Sequence, residues 1–463
     1  MELKNKIING TLKLTIINYG LFAMNFFIQL YLAKMLSPDT FGQISFLLAI
    51  ISVLSAFGQW GVGSVIAIRN DKSFLDAVFT LKLLFSILLF IASLLYLGNI
   101  PNTNNSKLLF LFISLAMCFQ NIAEVPRLVL QINIEFSKIG IIRVLNKIIA
   151  IGSSIILVIF GLDIWALGLL YGIEMFLDVI FVFISPYKPR FNFDINHTIW
   201  FFKYAKNILY VNFMGNIENK YDDFIVGKVA GSSALGIYNI GWKITRLFNT
   251  TTISTFSSVV VPSLAKVSNN HDKFNYSYNF LLRNIIRLLF LVYGMVFILA
   301  PYIIETFMGI EWISSVYIIR FGIIYSLLLP LYTINREVFY ALGKPEMLKR
   351  IQVVLFIIII ISVPLAVILY KEIGAVLALS FAYLIGTILS FKTLSTEVDI
   401  CYFNAFFPSL VAALVAMIVS WNFSKYILIK AVVYLAIYLI ILFSTSFKLL
   451  KEDLNSVKDS FMS

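Results

Sequence analysis

Charged residues are scarce in this chain. Asp, Glu, Lys and Arg make up 13% of its 463 residues, whereas a typical soluble protein carries about a quarter. Hydrophobic residues make up 60%, and apolar runs of about 20 residues, long enough to cross a bilayer as helices, recur from end to end. The runs are too long for membrane strands and show no alternation of apolar and polar residues. The composition therefore excludes a soluble globular protein and predicts an all-α integral membrane protein.

Cysteine, histidine and nucleotide-binding motifs are also nearly or wholly missing. Cys118 and Cys401 each lie in or beside an apolar run, which argues against a disulfide or metal framework. His197 and His271 fall in separate predicted loops. No GxxxxGK[ST] motif is present, and no predicted external loop is long enough to hold an active site. We therefore expect no cofactor, no metal and no enzymatic activity, and transport driven by an ion gradient, the membrane potential or the substrate's own gradient.

Fourteen apolar segments are long enough to span a membrane. The first follows a lysine-containing start but lacks a small-residue cleavage site, so we expect it to remain as a helix. The segments are 11–36, 41–66, 75–98, 107–130, 141–161, 163–185, 201–228, 234–263, 277–300, 313–341, 347–370, 373–392, 403–423 and 427–447.

The basic residues set a predicted orientation. If the N-terminus is cytoplasmic, 26 of the 36 Lys and Arg residues fall on the cytoplasmic side, 6 fall outside, and 4 lie deep in spans. This asymmetry is the positive-inside pattern. It predicts that both termini face the cytoplasm, and it explains the net charge of +12 without a nucleic-acid partner.

The chain also repeats itself. KMLSPDTFGQISF from Lys34 aligns with KVAGSSALGIYNI from Lys228 at a shift of 194 residues, and later stretches align at shifts of 207 and 209. Equivalent helices are six apart, so the two copies share one orientation, as in two-lobed transporters with a site between the lobes. The repeat predicts a first six-helix lobe over 1–190, a second over 191–397, and two additional helices with a tail over 398–463.

Polar residues follow one helix face in the seventh and eighth segments, with spacings of four, three and four residues. Because lipid cannot satisfy such a face, it must meet protein or water. In the seventh segment the face holds Asn212, Asn216, Asn219 and Asp223, and in the eighth it holds Asn239, Lys243, Arg246 and Thr250.

Two interpretations of these charges remain open. In the functional one, Lys243 and Arg246 bind an anionic substrate in a water-filled cavity while a carboxylate takes up a proton or cation. In the other, the charges form internal ion pairs that only hold the helices together. Glu218 and Lys220 are ambiguous because they could satisfy each other.

The first lobe has fewer charges on its corresponding face, where Asn25 and Gln29 align with Asn219 and Asp223. We therefore expect a cavity whose ionic recognition lies in the second lobe. Arg320 is an isolated cation within a span and is predicted either to line the cavity or to pair with a carboxylate.

Glu218 and Asp223 are candidates for taking up the coupling ion, and Glu124 and Glu174 are two more. Glu124 and Arg127 flank Pro126 at i and i+3, as a gating pair or an ordinary interface ion pair. Glu174 forms an i, i+4 pair with Asp178, although helix-end solvation explains Asp178 equally well.

Four stretches resemble the polysaccharide-transporter branch of the multidrug, oligosaccharidyl-lipid and polysaccharide exporter superfamily. This branch contains the Wzx-type flippases, especially exporters of the colanic-acid and teichuronic-acid kind. The stretches, in family order, are YLAKMLSPDTFGQISFLLAIISVLSAFGQWGVGSVI, FGLDIWALGLL, DDFIVGKVAGSSALGIYNIGWKI followed by VVVPSLAKVSNN, and FYALGKPEMLKR.

The resemblance implies an inner-membrane carrier that opens alternately to each side and moves a polyprenyl-pyrophosphate oligosaccharide outward for polysaccharide biosynthesis. Its expected partners are this lipid-linked substrate, membrane lipid, a polysaccharide polymerase and glycosyltransferases, with the carrier itself a monomer. An ion-coupled multidrug exporter and a repeat-unit polymerase or ligase are the alternatives. The nearly uncharged face of the first lobe argues against the peptidoglycan-precursor branch, whose first lobe is cationic.

Overall fold

The computed structural model describes the backbone of residues 2–58, 60–100, 104–267, 270–423 and 426–462. Within these ranges, the side chains of 2–12, 14, 104, 207–217, 219, 250–263, 265–266, 345, 448 and 450–462 are not described. The regular structure over these ranges is helical, and its α-helices are α1 Glu2–Met35, α2 Pro38–Ala56, α3 Val62–Ile68, α4 Lys72–Tyr96, α5 Asn104–Ile132, α6 Phe136–Ile159, α7 Asp163–Leu177, α8 Ile180–Ile184, α9 Ile195–Val229, α10 Ser232–Val267, α11 His271–Phe307, α12 Ser315–Ala341, α13 Pro345–Leu394, α14 Tyr402–Phe423 and α15 Ile427–Met462.

The chain is an all-α multi-pass membrane protein, as its composition predicts. Eleven helices in the described ranges are long and apolar enough to cross a bilayer. α9 and α10 are long enough but carry the charges of the seventh and eighth predicted segments. α13 contains both the eleventh and the twelfth segment, which meet where Tyr370 and Lys371 leave the helical conformation.

Two predicted segments are broken rather than continuous. The second is interrupted between α2 and α3, where Gly61 adopts a left-handed conformation (φ 64°) that favours glycine. The sixth is interrupted between α7 and α8. Near the first break, the buried Lys82 ammonium donates to the carbonyl oxygen of Gly58 over 2.8 Å, so a side chain satisfies the backbone group that the break exposes.

The chain forms two compact units, Met1–Gly236 and Ile237–Ser463. In the first unit, α5 packs on α4 and α7, α6 packs on α1 and α7, and α9 packs on α2 and α4. In the second, α12 packs on α11 and α13, and α14 and α15 pack on each other and on α11. The predicted boundary at 190/191 follows the sequence repeat rather than compactness and stays a prediction.

Hydrogen bonds from two tyrosines join α15 to α11 in the second unit. The hydroxyls of the buried Tyr434 and Tyr438 donate to the backbone carbonyls of Phe290 (2.8 Å) and Arg287 (2.7 Å). Gly294 leaves the space that the Tyr434 ring fills, since a Cβ at this position would lie 1.9 Å from the Tyr434 hydroxyl. In a membrane, where burying apolar surface drives little association between helices, such hydrogen bonds and small residues hold helices together.

Within the first unit, the start of α2 crosses the start of α10 with direct backbone contact. A Cβ on Gly42 would lie 1.6 Å from the carbonyl oxygen of Ser232, and a Cβ on Gly236 would lie 2.0 Å from that of Pro38. Gly236 is the repeat equivalent of Gly42, and Ser232 is that of Pro38, so the two close contacts are equivalent by the repeat. Only glycine permits backbones to approach in this way.

We expect Gly42→Ala and Gly236→Ala each to destabilise the folded protein by about 1–3 kcal/mol, because the added methyl group meets backbone that cannot rotate away. Thermal unfolding of the purified protein in detergent measures the effect. Gly152→Ala is the matched control, because nothing lies within 4 Å of its Cβ position in α6. Equal melting temperatures for all three variants would contradict the close crossing.

Candidate functional site

The polar face of α1 lies against α6 and α7. The buried Lys147 ammonium of α6 donates to Asn25 Oδ1 (3.2 Å) and to Glu174 Oε2 (2.6 Å). Gln29, which is also buried, donates to the Tyr171 hydroxyl over 2.9 Å. Both predicted cavity residues on α1 therefore have partners inside the first unit.

A second ion pair joins α4 to α5. Lys82 Nζ lies 2.5 Å from Glu124 Oε2, and the lysine side chain is only 1% exposed whereas the glutamate is 26% exposed. The ammonium also lies 5.6 Å from the centre of the Trp60 ring, within cation–π range. The lysine is thus fully enclosed by its partners, and Glu124 is the member of the pair that reaches open space.

Asp178 is the centre of a third polar cluster. Gln120 and Asn146 donate to its two carboxylate oxygens over 3.3 and 3.2 Å, and Arg127 Nη1 lies 3.5 Å away. Each member of the two predicted pairs, Glu124 with Arg127 and Glu174 with Asp178, has a charged partner on a different helix. The predicted ion pair between Glu124 and Arg127 is therefore replaced by pairs of Glu124 with Lys82 and of Arg127 with Asp178.

These contacts correct the expectation that the polar face of the first lobe is nearly uncharged. Lys147 reaches Asn25, and Arg143 Nη1 donates to Asn18 Oδ1 over 2.9 Å, so α6 supplies two cations to the polar face of α1. The expectation considered only the first two segments, and it counted Arg143, Lys147 and Lys82 as cytoplasmic helix ends. The argument against the peptidoglycan-precursor branch, which depended on an uncharged first lobe, therefore loses its basis.

On α9, the seventh predicted segment, Lys220 Nζ lies 2.9 Å from Asp223 Oδ2. The Asp223 side chain is 6% exposed and that of Lys220 is 41% exposed. Lys220 thus pairs with Asp223, one turn along the same helix, and Glu218 is half-buried. The predicted cavity residues Asn212, Asn216 and Asn219 lie outside the residues whose side chains are described.

In the second unit, Arg246 of α10 lies beside two aromatic rings. The Arg246 guanidinium carbon is 5.8 Å from the centre of the Trp242 ring and 5.9 Å from that of Tyr325. Lys243 is half-buried and Asn239 is buried. Arg246 and Trp242 share one helix, and Tyr325 belongs to α12, so this pairing of cation and rings joins the two helices.

Arg320 occupies a different environment. Its guanidinium carbon lies 4.8 Å from the centre of the Phe297 ring of α11. The neighbouring α12 residues Tyr317, Phe321 and Ile324 are 55, 39 and 47% exposed, so Arg320 lies beside the exposed stripe of its helix. Of its two predicted roles, pairing with a carboxylate has no counterpart among the described ion pairs.

Helix packing sets the position of α10 in the second unit. Gly241 lies against α12, since a Cβ there would be 2.6 Å from Ile318, and Gly322 faces Thr245 in the same way. One turn further along α10, Asn249 donates to the Ser326 carbonyl over 3.1 Å and accepts from the Tyr293 hydroxyl over 2.9 Å. The helix that carries Lys243 and Arg246 is therefore fixed to α11 and α12 along this stretch.

The ion pairs of the first unit provide a stability test. We expect Lys82→Met to cost about 3 kcal/mol, because it leaves Glu124 without its cation, whereas Lys82→Met with Glu124→Gln should recover much of this loss. Thermal unfolding of the single and double variants measures both effects.

Lys138→Met in the exposed Lys138–Glu135 pair is the control, with an expected effect below about 1 kcal/mol. A single Lys82 variant as stable as this control would refute the assigned pair.

The sequence of this chain is similar to that of known polysaccharide biosynthesis proteins. A family model described as "Polysaccharide biosynthesis protein" matches residues 31–317. The succinoglycan biosynthesis transport protein ExoT of Rhizobium meliloti (strain 1021) is 18% identical over 260 residues, covering 55% of this chain and 53% of ExoT. The teichuronic acid biosynthesis protein TuaB of Bacillus subtilis (strain 168) is 25% identical over 306 residues, covering 62% and 61%. The chain thus matches between half and two thirds of each relative.

The fold is shared with solved transporters. The lipid II flippase MurJ in an inward closed conformation superposes with a TM-score of 0.77 at 17% identity, covering 95% of this chain and all of that one. An inward-facing multidrug-resistance MATE transporter superposes with a TM-score of 0.60 at 13% identity, covering 81% and 94%. Superpositions at these TM-scores show that the three proteins share a fold.

Proposed function

Because the chain belongs to the polysaccharide biosynthesis protein family, whose model covers residues 31–317, we propose that it is a flippase for polysaccharide precursors. It moves a polyprenyl-pyrophosphate-linked oligosaccharide across the cytoplasmic membrane by alternating access. The observation that carries the proposal is the position of the charged membrane-length helices α9 and α10, which lie inside the region that the family model matches. Charge at such positions is costly unless a polar substrate, water or a partner meets it.

The proposed substrate contact is on α10. A pyrophosphate carries several negative charges, and Lys243 and Arg246 are one turn apart on the same face of the helix. Arginine recognises phosphate through its planar fork of donors, and the rings of Trp242 and Tyr325 beside Arg246 limit its movement. Asn239 and Arg320 are further proposed substrate-binding residues of the second unit.

We propose that four carboxylates couple transport to the uptake of a proton or cation. Glu124, Glu174 and Asp223 each pair with a lysine, so taking up a proton would release that lysine. Glu218 is the fourth candidate. An ion pair that breaks on protonation gives a helix two arrangements that differ in charge, which is what a coupled carrier requires.

The orientation, with both termini in the cytoplasm, rests on the distribution of Lys and Arg.

A multidrug-type exporter is the second candidate, favoured by the TM-score of 0.60 with a MATE transporter. The two curated relatives are named for polysaccharide biosynthesis, and a site for drug cations would be acidic rather than contain Lys243 and Arg246. The flippase is therefore preferred. Its proposed partners are a polymerase and glycosyltransferases, and it works as a monomer without catalysis of its own.

We expect Lys243→Ala with Arg246→Ala to lower transport of a fluorescent lipid-linked oligosaccharide in proteoliposomes at least tenfold, because the phosphate loses both cations. Lys243→Arg with Arg246→Lys, which keeps the charge, should retain more activity than the alanine pair. Lys228→Ala is the matched control for loss of a single cation outside this face.

Membrane expression and melting temperature are measured in parallel, so that loss of folding is recognised. Normal transport by a well-folded alanine pair would remove Lys243 and Arg246 from the site. Failure of the wild-type protein to move this substrate, together with export of drug cations, would favour the second candidate.

A further inference from the structure

The segment between α8 and α9 has two chemically different sides. Residues 187–194 form no helix, and exposure alternates along the chain. Phe191, Phe193 and Ile195 are 70, 70 and 71% exposed, whereas Asn192 and Asp194 between them are half-buried. This alternation is typical of an extended chain lying flat on a surface. We call residues 186–195 the linker.

The polar side of the linker is fixed to α4. The buried Asp76 carboxylate accepts hydrogen bonds from the Tyr187 hydroxyl (2.7 Å) and the Arg190 amide (3.0 Å). Burial and, to a smaller extent, the hydrogen bond with Asp76 raise the pKa of Tyr187. The hydroxyl therefore stays protonated and remains a donor. The Asn192 amide donates to Thr80 Oγ1 over 2.9 Å, and its side chain donates to Ser73. The linker is thus held to α4 at Tyr187, Arg190 and Asn192.

The linker lies at the depth of a membrane surface. Its contacts on α4 are with Ser73, Asp76 and Thr80, within the first nine residues of the 28-residue membrane span Lys72–Asn99. A helix of this length rises about 42 Å, more than the roughly 30 Å of hydrocarbon in a bilayer. The first turns of α4, and the linker beside them, therefore fall at the boundary between headgroups and acyl chains.

The outer side of the linker combines large apolar side chains with cations. Its apolar row continues into other exposed residues, namely Phe183, Ile184, Ile199 and Tyr204. Basic residues of the linker and of the first turns of α4 and α9 are exposed as well, namely Lys72, Lys188, Arg190, Lys203 and Lys206. The nearby acids are engaged, because Asp71 pairs with Arg69 at 2.6 Å and Asp194 accepts hydrogen bonds from the first amides of α9. Aromatic residues flanked by cations are typical of segments that lie in a lipid interface.

We propose that the linker is a membrane-surface strap that binds anionic phospholipid of the cytoplasmic leaflet. Phe191, Phe193 and Ile195 insert between the headgroups, and the surrounding cations bind lipid phosphates. The leaflet follows from the proposed orientation, and the lipid contact itself does not depend on what the protein transports. A membrane fits this surface better than a protein partner because the linker lies at interface depth and its charge complements anionic headgroups.

Spin labels on the full-length protein test the insertion. Phe193→Cys and Phe191→Cys are made with Cys118→Ser and Cys401→Ser, labelled with a nitroxide and placed in nanodiscs containing phosphatidylglycerol. We expect both labels to be accessible to oxygen and protected from a water-soluble nickel complex. Asp272→Cys, at an exposed polar position in the first turn of α11, is the control for free access of nickel. Free access of nickel at 191 and 193 would overturn the proposal and indicate a protein partner instead.

Lipid dependence of stability tests the recognition of charge. Replacing neutral phosphatidylcholine with phosphatidylglycerol should raise the melting temperature of the wild-type protein. A variant with Lys188→Gln, Arg190→Gln, Lys203→Gln and Lys206→Gln should lose at least half of that rise. A control variant with Lys425→Gln and Lys430→Gln, at the opposite predicted side, should keep it. An equal rise in melting temperature in all three proteins would show that the four replaced cations do not bind the anionic lipid.

Discussion

The bilayer offers no water to a buried charge, and this constraint determines much of the first unit. The ammonium groups of Lys82 and Lys147 are almost wholly enclosed, and each meets a carboxylate within 2.6 Å. Each also bonds a neutral oxygen, Gly58 O or Asn25 Oδ1, which satisfies a further donor. Such pairs add little net stability over an apolar core, but breaking one is costly. They therefore specify which helices are neighbours more than they add stability.

A second constraint is the space between backbones where equivalent parts of the repeat meet. Gly42 and Gly236 sit in equivalent places, and each would direct a Cβ at a carbonyl oxygen of the facing segment. A larger residue at either position would push the segments apart. The hydrogen bonds at this contact do not follow the repeat. The Asp39 carboxylate accepts from the Ser232 hydroxyl. The repeat equivalent of Asp39 is Ser233, and that of Ser232 is Pro38. The repeat thus preserves the backbone approach while the side chains around it have diverged.

Apolar length predicted most of the helices, because the thickness of the bilayer sets the length of a span. The spacing of polar residues also located the polar face of α1, since spacing along one helix is a local property. Partners across helices were mostly missed. Glu124 meets Lys82 and Asp178 meets Arg127, contacts that depend on how α4, α5 and α7 pack. Lys147 looked like a helix-end cation in the charge count, and only its 6% side-chain exposure reveals that it is internal. The sequence contains one signal for this internal position, because Arg143, Asn146 and Lys147 share one polar face of α6.

The cations of this chain therefore divide by what encloses them, and counting charges along the sequence cannot separate the groups. Lys82 and Lys147 are enclosed by carboxylates and amides of their own unit, which leaves little of their charge for a ligand. Arg246 lies instead beside the faces of Trp242 and Tyr325, which attract a cation without neutralising it. A guanidinium can stack on an aromatic ring and still donate hydrogen bonds in its own plane. The surroundings of Lys82 and Lys147 therefore differ in kind from those of Arg246, which the number of charges in each repeat does not reveal.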